Sequence, residues 1–288
     1  MKFRLGWTTA FAGMFAAAVG LYEARAQERL EIFDAHLHYN QEPAPFYSLE
    51  QVREVFRRNG ISGIVATSRP NKGTHELMDA KWPELKVVPF IRPYRVRNDI
   101  QTWFNDPTIF ELIKSEHARG YYRGIGEFHI YGKAAESDWV RKMVDFAVER
   151  NLYLHAHCDE EALLILFRHN PKARIIWAHT GFSVPSPRIA ELFDQHKDTL
   201  WGELSYRNGI TGADGKLSTE WRSLFDRYSD RYSDRFLLGS DTWINERWFG
   251  YDTIFKEYRG WLAQLPAEQA RRIANGNALR LFAARTPN

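Results

Sequence analysis

Cysteine is almost absent: Cys158 stands alone in 288 residues. No disulfide can form within the chain, so an exported protein of this sequence has to be held together by its core. There is no run or stripe of Lys and Arg, which leaves a nucleic-acid surface without support. No GxSxG elbow occurs and Cys158 has no activated setting, so a serine or cysteine nucleophile is a poor reading. The glycine-rich phosphate loop of a dinucleotide-binding sheet is also missing after the first strand. Only one long apolar run exists, residues 5–21, and at 17 residues it falls just short of the roughly 18 expected of a spanning helix.

That run follows Lys2 and Arg4 and precedes Ala24-Arg25-Ala26. The order is that of a secretory signal, with cleavage expected after Ala26; an uncleaved anchor is the alternative. The reading implies export to a periplasm or the outside, with no membrane attachment after cleavage. Residues 27–288 then form one domain of 262 residues, a length that suits one large α/β barrel. Removing Lys2, Arg4, Arg25 and Glu23 from the 39 basic and 36 acidic residues leaves 36 against 35, so the mature chain is close to neutral.

Strand-like and helix-like segments alternate along that domain. Strands are expected at 30–38, 61–67, 86–91, 122–130, 152–157, 173–179, 200–205 and 236–241. Helices are expected from Ser48 to Gly60, from about Thr74, and at 107–117, 137–150, 160–167, 186–193, 220–228 and 251–262. Eight successive β-then-α units predict a closed (β/α)8 TIM barrel; an open doubly wound sheet is the alternative. A further helix from Pro266 carries Ala270, Ile273, Ala274, Ala278, Leu281 and Phe282 on one face and is expected to close or buttress the barrel. The tandem YSDRYSDR, 228–235, reads as a small duplication that lengthens the loop before strand eight.

Polar residues collect at the strand ends. The first strand ends in FDAHLH, where Asp34, His36 and His38 alternate and point to one side. Two imidazoles at i and i+2 can grip one metal ion. Strand four ends GIGEFHI, with Glu127 and His129 expected to share a face with Ile125. Strand five ends HAHC with His155 and His157, strand six ends WAHTG with His179, and strand eight ends GSD with Asp241. In a closed barrel all these ends open onto one mouth. Mixed His and carboxylate ligands suit a divalent ion, zinc first, with manganese, iron and nickel as alternatives, and an open coordination position makes such a site hydrolytic.

The set DAHLH, GEFH, HAHCDEEA, WAHTGF, GSDTW and IANGNALRLF resembles the amidohydrolase superfamily of metal-dependent hydrolases over essentially the whole mature chain. WAHTGF and the small barrel resemble the amidohydrolase-related, or amidohydrolase 2, branch. Glu127 in IGEFH is similar to the GE motif of TatD-like deoxyribonucleases, whose glutamate bridges two metals. No lysine in strand four matches the carbamylated lysine of other branches. The resemblance implies His36 and His38 as first-strand ligands, His157 as the fifth-strand ligand, His179 as the sixth-strand histidine and Asp241 as the eighth-strand aspartate. One ion or two is decided by Glu127, which either bridges or is a structural acid.

A bound divalent ion acidifies its water and polarises a carbonyl or phosphoryl oxygen. Asp241 is expected to orient that water, take its proton and return it to the leaving group, while His179 completes a second metal site or donates to the developing oxyanion. His129 and His155 read as inward polar residues satisfied by neighbours, and Cys158 as packed core. Arg69, Arg92 and Arg207, with Tyr94, Tyr131 and Trp243 in neighbouring loops, give the mouth a cationic and aromatic lining suited to a small anionic or cyclic amide, ester, lactone or phosphoester. The arginines pairing with protein acids is the bland alternative. A decarboxylase on the same scaffold and a barrel that binds without catalysis are the other functions the pattern allows.

Overall fold

The computed structural model describes residues 30–42, 44–227 and 235–283. The expected leader, and all of the tandem copy but Arg235, lie outside the described residues. Eight parallel strands follow one another in order around a barrel. They are β1 (Ile32–His38), β2 (Ile61–Thr67), β3 (Lys86–Ile91), β4 (Gly124–Ile130), β5 (Tyr153–Cys158), β6 (Arg174–Trp177), β7 (Leu200–Glu203) and β8 (Phe236–Leu237). Backbone bonds from Ala35 N to Leu238 O (2.7 Å) and from Asp241 N to His36 O (2.6 Å) close β8 onto β1. The architecture is a (β/α)8 TIM barrel, as the alternation predicts.

The helices begin where the sequence supplies caps. At α1 (Leu49–Arg58), Ser48 and Gln51 form a reciprocal capping box. After α2 (Lys72–Asp79), Asp106 caps α3 (Pro107–His117), whose first residue is a proline. Ser137 caps α4 (Asp138–Glu149) and Asp159 caps α5 (Glu160–His169). Next come α6 (Ser186–Gln195), α7 (Thr219–Arg227), a short α8 (Asn245–Phe249) and α9 (Tyr251–Leu262). Among the described residues no helix is long and apolar enough to cross a membrane.

Two apolar clusters divide the core. The larger joins the outward strand residues to the helices; the smaller fills the barrel floor with Phe33, Val65, Phe90, Tyr153, Ile176 and Trp201. The chain after Pro266 plugs that floor from below. It runs through α10 (Ala267–Arg271), one wider turn (Arg272–Gly276) and α11 (Asn277–Leu281), and it inserts Ala278 and Phe282 into the cluster. The expected closing segment is therefore present; its second half forms the bottom of the barrel, while Ala270, Ile273 and Ala274 pack in the larger cluster.

Four strand ends differ from the sequence reading, β7 by stopping at Glu203, two residues short. The register of β4 against β5 slips between Gly126 and Phe128, so Glu127 is a bulged residue. The bulge breaks the alternation: Ile125 packs outward in the same cluster as Phe128 and does not share a face with Glu127. β6 stops at Trp177, and His179 and Thr180 follow with left-handed backbone angles (φ 57° and 44°). β8 is only two residues long, and Asp241 sits beyond it with φ 49°. Non-glycine residues held in that region cost conformational energy and cluster where function needs a fixed side chain.

Candidate metal centre and active site

At the C-terminal mouth, two donor clusters share one carboxylate. His36, His38, Glu127 and Asp241 form the first; Glu127, His157 and His179 form the second. In the first, His38 Nε2 lies 3.1 Å from Asp241 Oδ1, 3.1 Å from His36 Nε2 and 3.3 Å from Glu127 Oε2. His36 Nε2 lies 3.3 Å from Asp241 Oδ1 and 3.5 Å from Glu127 Oε1. A tetrahedral shell with bonds of about 2.0–2.1 Å places neighbouring donors about 3.3 Å apart, so these separations are the edges of such a shell. In the second cluster, His157 Nδ1 is 2.8 Å from Glu127 Oε1 and 3.2 Å from His179 Nε2, and the remaining edge is 3.6 Å.

Three histidines are held with Nε2 turned to the donors. His36 Nδ1–H donates to Glu203 (2.8 Å) and His179 Nδ1–H to the Ser205 carbonyl (2.8 Å). His38 Nδ1 lies 2.6 Å from the Thr67 hydroxyl, which donates to the Leu37 carbonyl (3.0 Å), and 2.5 Å from the Arg92 guanidinium, which can only donate. The bonds at His36 and His179 leave their Nε2 lone pairs for a metal.

The electrostatics fit a cation. Glu127, Glu203 and Asp241 are all buried, and the guanidinium that reaches them is that of Arg92, whose Nη2 is 3.2 Å from Glu127 Oε2. Asp241 Oδ1 is buried and has no hydrogen-bond partner among the described residues. The two imidazoles approach it without the alignment of a hydrogen bond, as ligands of a common ion would. Burial works against ionisation of Asp241 and Glu127, yet the surrounding histidines outweigh it and hold both carboxyls below their ordinary values. Burial also pulls His36 down, but Asp241, Glu127 and Glu203 outweigh it and hold the ring well above its ordinary value. His38 is shifted the other way, pulled down by burial and by the Arg92 guanidinium.

A cavity of about 300 Å³ opens onto the second cluster, lined by Glu127, His157, His179 and Asp241 together with His129 and Phe182. Its walls also hold Arg69, Arg92, Arg97, Ile100, Tyr206 and Trp243. Of the expected substrate residues, Arg69, Arg92 and Trp243 therefore reach the cavity. Arg69 also pairs with Glu42 (2.5 Å), and Arg92 is buried deeper than a mouth residue, stacked 5.0 Å over Tyr94. Arg207 does not reach it: its guanidinium donates to the Val184 carbonyl and lies over Trp221, and burial pulls its pKa down to about 10. Tyr131 is half exposed at the rim beside His157 and is not part of the lining.

His129 is more than a satisfied inward residue, since it lines the cavity, stacks on His157 at 4.1 Å and contacts the Tyr94 hydroxyl at 3.2 Å. Burial pulls its pKa down to about 3. His155 is buried against His36, and neither of its ring nitrogens has a hydrogen-bond partner among the described residues, so the expectation of satisfied neighbours fails there. Cys158 is packed core. Glu203 escaped the sequence reading, although a carboxylate closing the apolar strand LWGE was the available signal. Arg97 and Tyr206 also escaped it, because loop residues carry no periodicity.

Solved amidohydrolases share this fold. A protein from Pseudomonas putida assigned as a 2-pyrone-4,6-dicarboxylic acid hydrolase superposes with a TM-score of 0.60 at 17% identity, covering 88% of this chain and 97% of its own. A protein of the same assignment from Acinetobacter baumannii, with citric acid bound, gives 0.56 at 14% identity, covering 88% and 100%. An amidohydrolase from Burkholderia multivorans with zinc bound gives 0.56 at 13% identity, again covering 88% and 100%. No protein-family model and no curated protein matches the chain. At these identities the likeness is one of fold.

Proposed function

We propose that this chain is an exported, metal-dependent hydrolase of the amidohydrolase type, acting on a small carboxylate-bearing ester, lactone, amide or phosphoester. The observation that carries the reading is the pair of donor clusters joined at Glu127, with the unpartnered Asp241 Oδ1 among donors spaced as a metal shell. His36, His38, Glu127 and Asp241 would hold one divalent ion, and Glu127, His157 and His179 a second on the cavity side. Zinc is first choice from the mixed nitrogen and oxygen donors and is the ion in the B. multivorans relative of this fold. When bound, such an ion supplies Lewis acidity and a water of lowered pKa.

The chain's own residues do the rest. Asp241, held ionised, takes the proton of the attacking water and returns it to the leaving group. The three-donor cluster leaves a coordination position facing the cavity, as a hydrolytic site requires. Arg69 and Arg97 flank the opening, and Arg97 lies 5.9 Å over the Trp243 ring. Among the described residues Arg97 forms no ion pair, so it is available to a substrate carboxylate. The citric acid held by the A. baumannii relative supports an anionic ligand on this scaffold.

The test is elemental analysis of the purified mature protein joined to a screen of carboxylate-bearing lactones, esters, amides and phosphoesters with and without chelator. Bound zinc and chelator-sensitive turnover are expected; a metal-free protein with no turnover after zinc loading would sink the reading. The arginines beside the donors also favour a second reading, decarboxylation of a bound carboxylate. Isotopically labelled water separates the two, because hydrolysis places its oxygen in the product. Export is tested by the mature N-terminus, expected at Gln27 outside the cytosol; an intact Met1 on a cytosolic protein would refute it.

A further inference from the structure

We infer that Glu203 is a positioning residue shared by the two donor clusters, aligning one histidine of each; the assignment rests on the metal reading above. Glu203 ends β7 and is fully buried. Its Oε2 accepts from His36 Nδ1–H (2.8 Å), the Ser205 hydroxyl (2.9 Å) and His179 N–H (3.2 Å), and its Oε1 accepts from Ser205 N–H (2.5 Å). Both oxygens thereby accept from protein donors, as an orienting group does, and Glu203 lies outside the two clusters joined at Glu127. Ser205, pinned by that carboxylate, offers its own carbonyl to His179 Nδ1–H. One carboxylate thus fixes His36 of the four-donor cluster directly and His179 of the three-donor cluster through its backbone and through Ser205.

Gly239 makes the arrangement sterically feasible. A Cβ at that position would lie 2.3 Å from Glu203 Oε1 and 2.4 Å from His36 Cβ, distances that real side chains do not reach. The glycine is required for space, since any side chain would wedge the carboxylate from the imidazole. The Tyr258 hydroxyl, bonded to the Gly239 carbonyl at 2.9 Å, holds that segment in place. A carboxylate that merely tied β7 to β1 would need neither the bond to His36 Nδ1 nor a glycine facing both groups.

The experiment is a zinc titration of the metal-stripped full chain against a chromophoric chelator, with folding checked by near-ultraviolet circular dichroism. Glu203→Gln keeps the shape and removes the charge, and is expected to weaken zinc binding about 10- to 100-fold at both clusters together, the usual effect of losing such an orienting partner. Gly239→Ala retains every donor atom and is expected to act in the same direction. Ser205→Ala removes one hydroxyl and is expected to cost a few-fold, so it carries the test if the other two variants do not fold. Folded variants that bind zinc as tightly as wild type would overturn the assignment while leaving the metal reading intact. A wild-type chain that takes up no ion would overturn both.

Discussion

Asp34 on β1 and Ser240 beyond β8 are joined twice across the seam of the barrel, by Ser240 N–H to Oδ1 at 2.8 Å and by its hydroxyl to Oδ2 at 2.6 Å. The Tyr251 hydroxyl (2.8 Å) and His36 N–H (3.2 Å) complete four donors on one buried carboxyl. Asp34 therefore locks the strand that carries His36 to the loop that carries Asp241, and does not itself join the donors. Burial pushes its pKa up to about 6, with the four donors offsetting part of that. Asp34→Ala strands several buried donors at about 1–3 kcal/mol each, so urea unfolding is expected to show a loss of at least about 3 kcal/mol. Asp34→Asn, which keeps an acceptor and removes the buried charge, is expected to lose less. Equal losses in the two variants would contradict this account.

The barrel was legible because its local signals agree with one another. Ser48, Asp106-Pro107, Ser137 and Asp159 start helices where the sequence places them. The donors were legible because strand ends converge in a barrel. Three features were not. The bulge at Glu127 is a tertiary adjustment of register that alternation cannot signal, and it is what parts Glu127 from Ile125. The left-handed backbone at His179 and Asp241, beyond the ends of the short β6 and β8, has no glycine at those two positions to announce it. Arg207 lies past β7 as expected, but the direction of a long side chain leaving a loop depends on Val184 and Trp221, which no local pattern relates to it.

Phe282 tests the floor of the barrel. It is buried against Tyr153 (5.4 Å), Phe33 (5.8 Å) and Phe90 (5.9 Å). Phe282→Ala would leave a cavity beneath the strands and is expected to cost about 3–5 kcal/mol in denaturant unfolding. A loss below about 1 kcal/mol would mean that the C-terminal segment does not plug the barrel.

Cys158 tests the packing between the barrel and its helices. The side chain is fully buried, and burial pushes the thiol well above the usual cysteine range. Because the thiolate is the reactive form, the native protein at pH 8 is expected to react with a chromogenic disulfide reagent at least about 100-fold more slowly than the urea-unfolded chain. Native labelling at the unfolded rate would place Cys158 at the surface.

The number of ions turns on Glu127, whose two oxygens face different donors. Oε2 lies 3.3 Å from His38 Nε2, and Oε1 lies 2.8 Å from His157 Nδ1. That division is the one a bridging carboxylate would need. The competing arrangement is also built into the site, because Arg92 Nη2 sits 3.2 Å from Oε2 and could satisfy the buried charge alone. If Arg92 were the sole partner, Glu127→Gln would strand a buried guanidinium and cost stability, about 3–5 kcal/mol, while metal content stayed the same. If Glu127 joins two ions, the amide keeps its shape but loses the charge that holds the second. We expect bound zinc to fall from about two ions per chain toward one, and turnover to fall at least about 100-fold, the loss typical of a positioned catalytic group. Elemental analysis and steady-state rates on the same preparation decide between them. An unchanged ion count and rate would make Glu127 the structural partner of Arg92 and the centre mononuclear, with His36, His38 and Asp241 as its ligands.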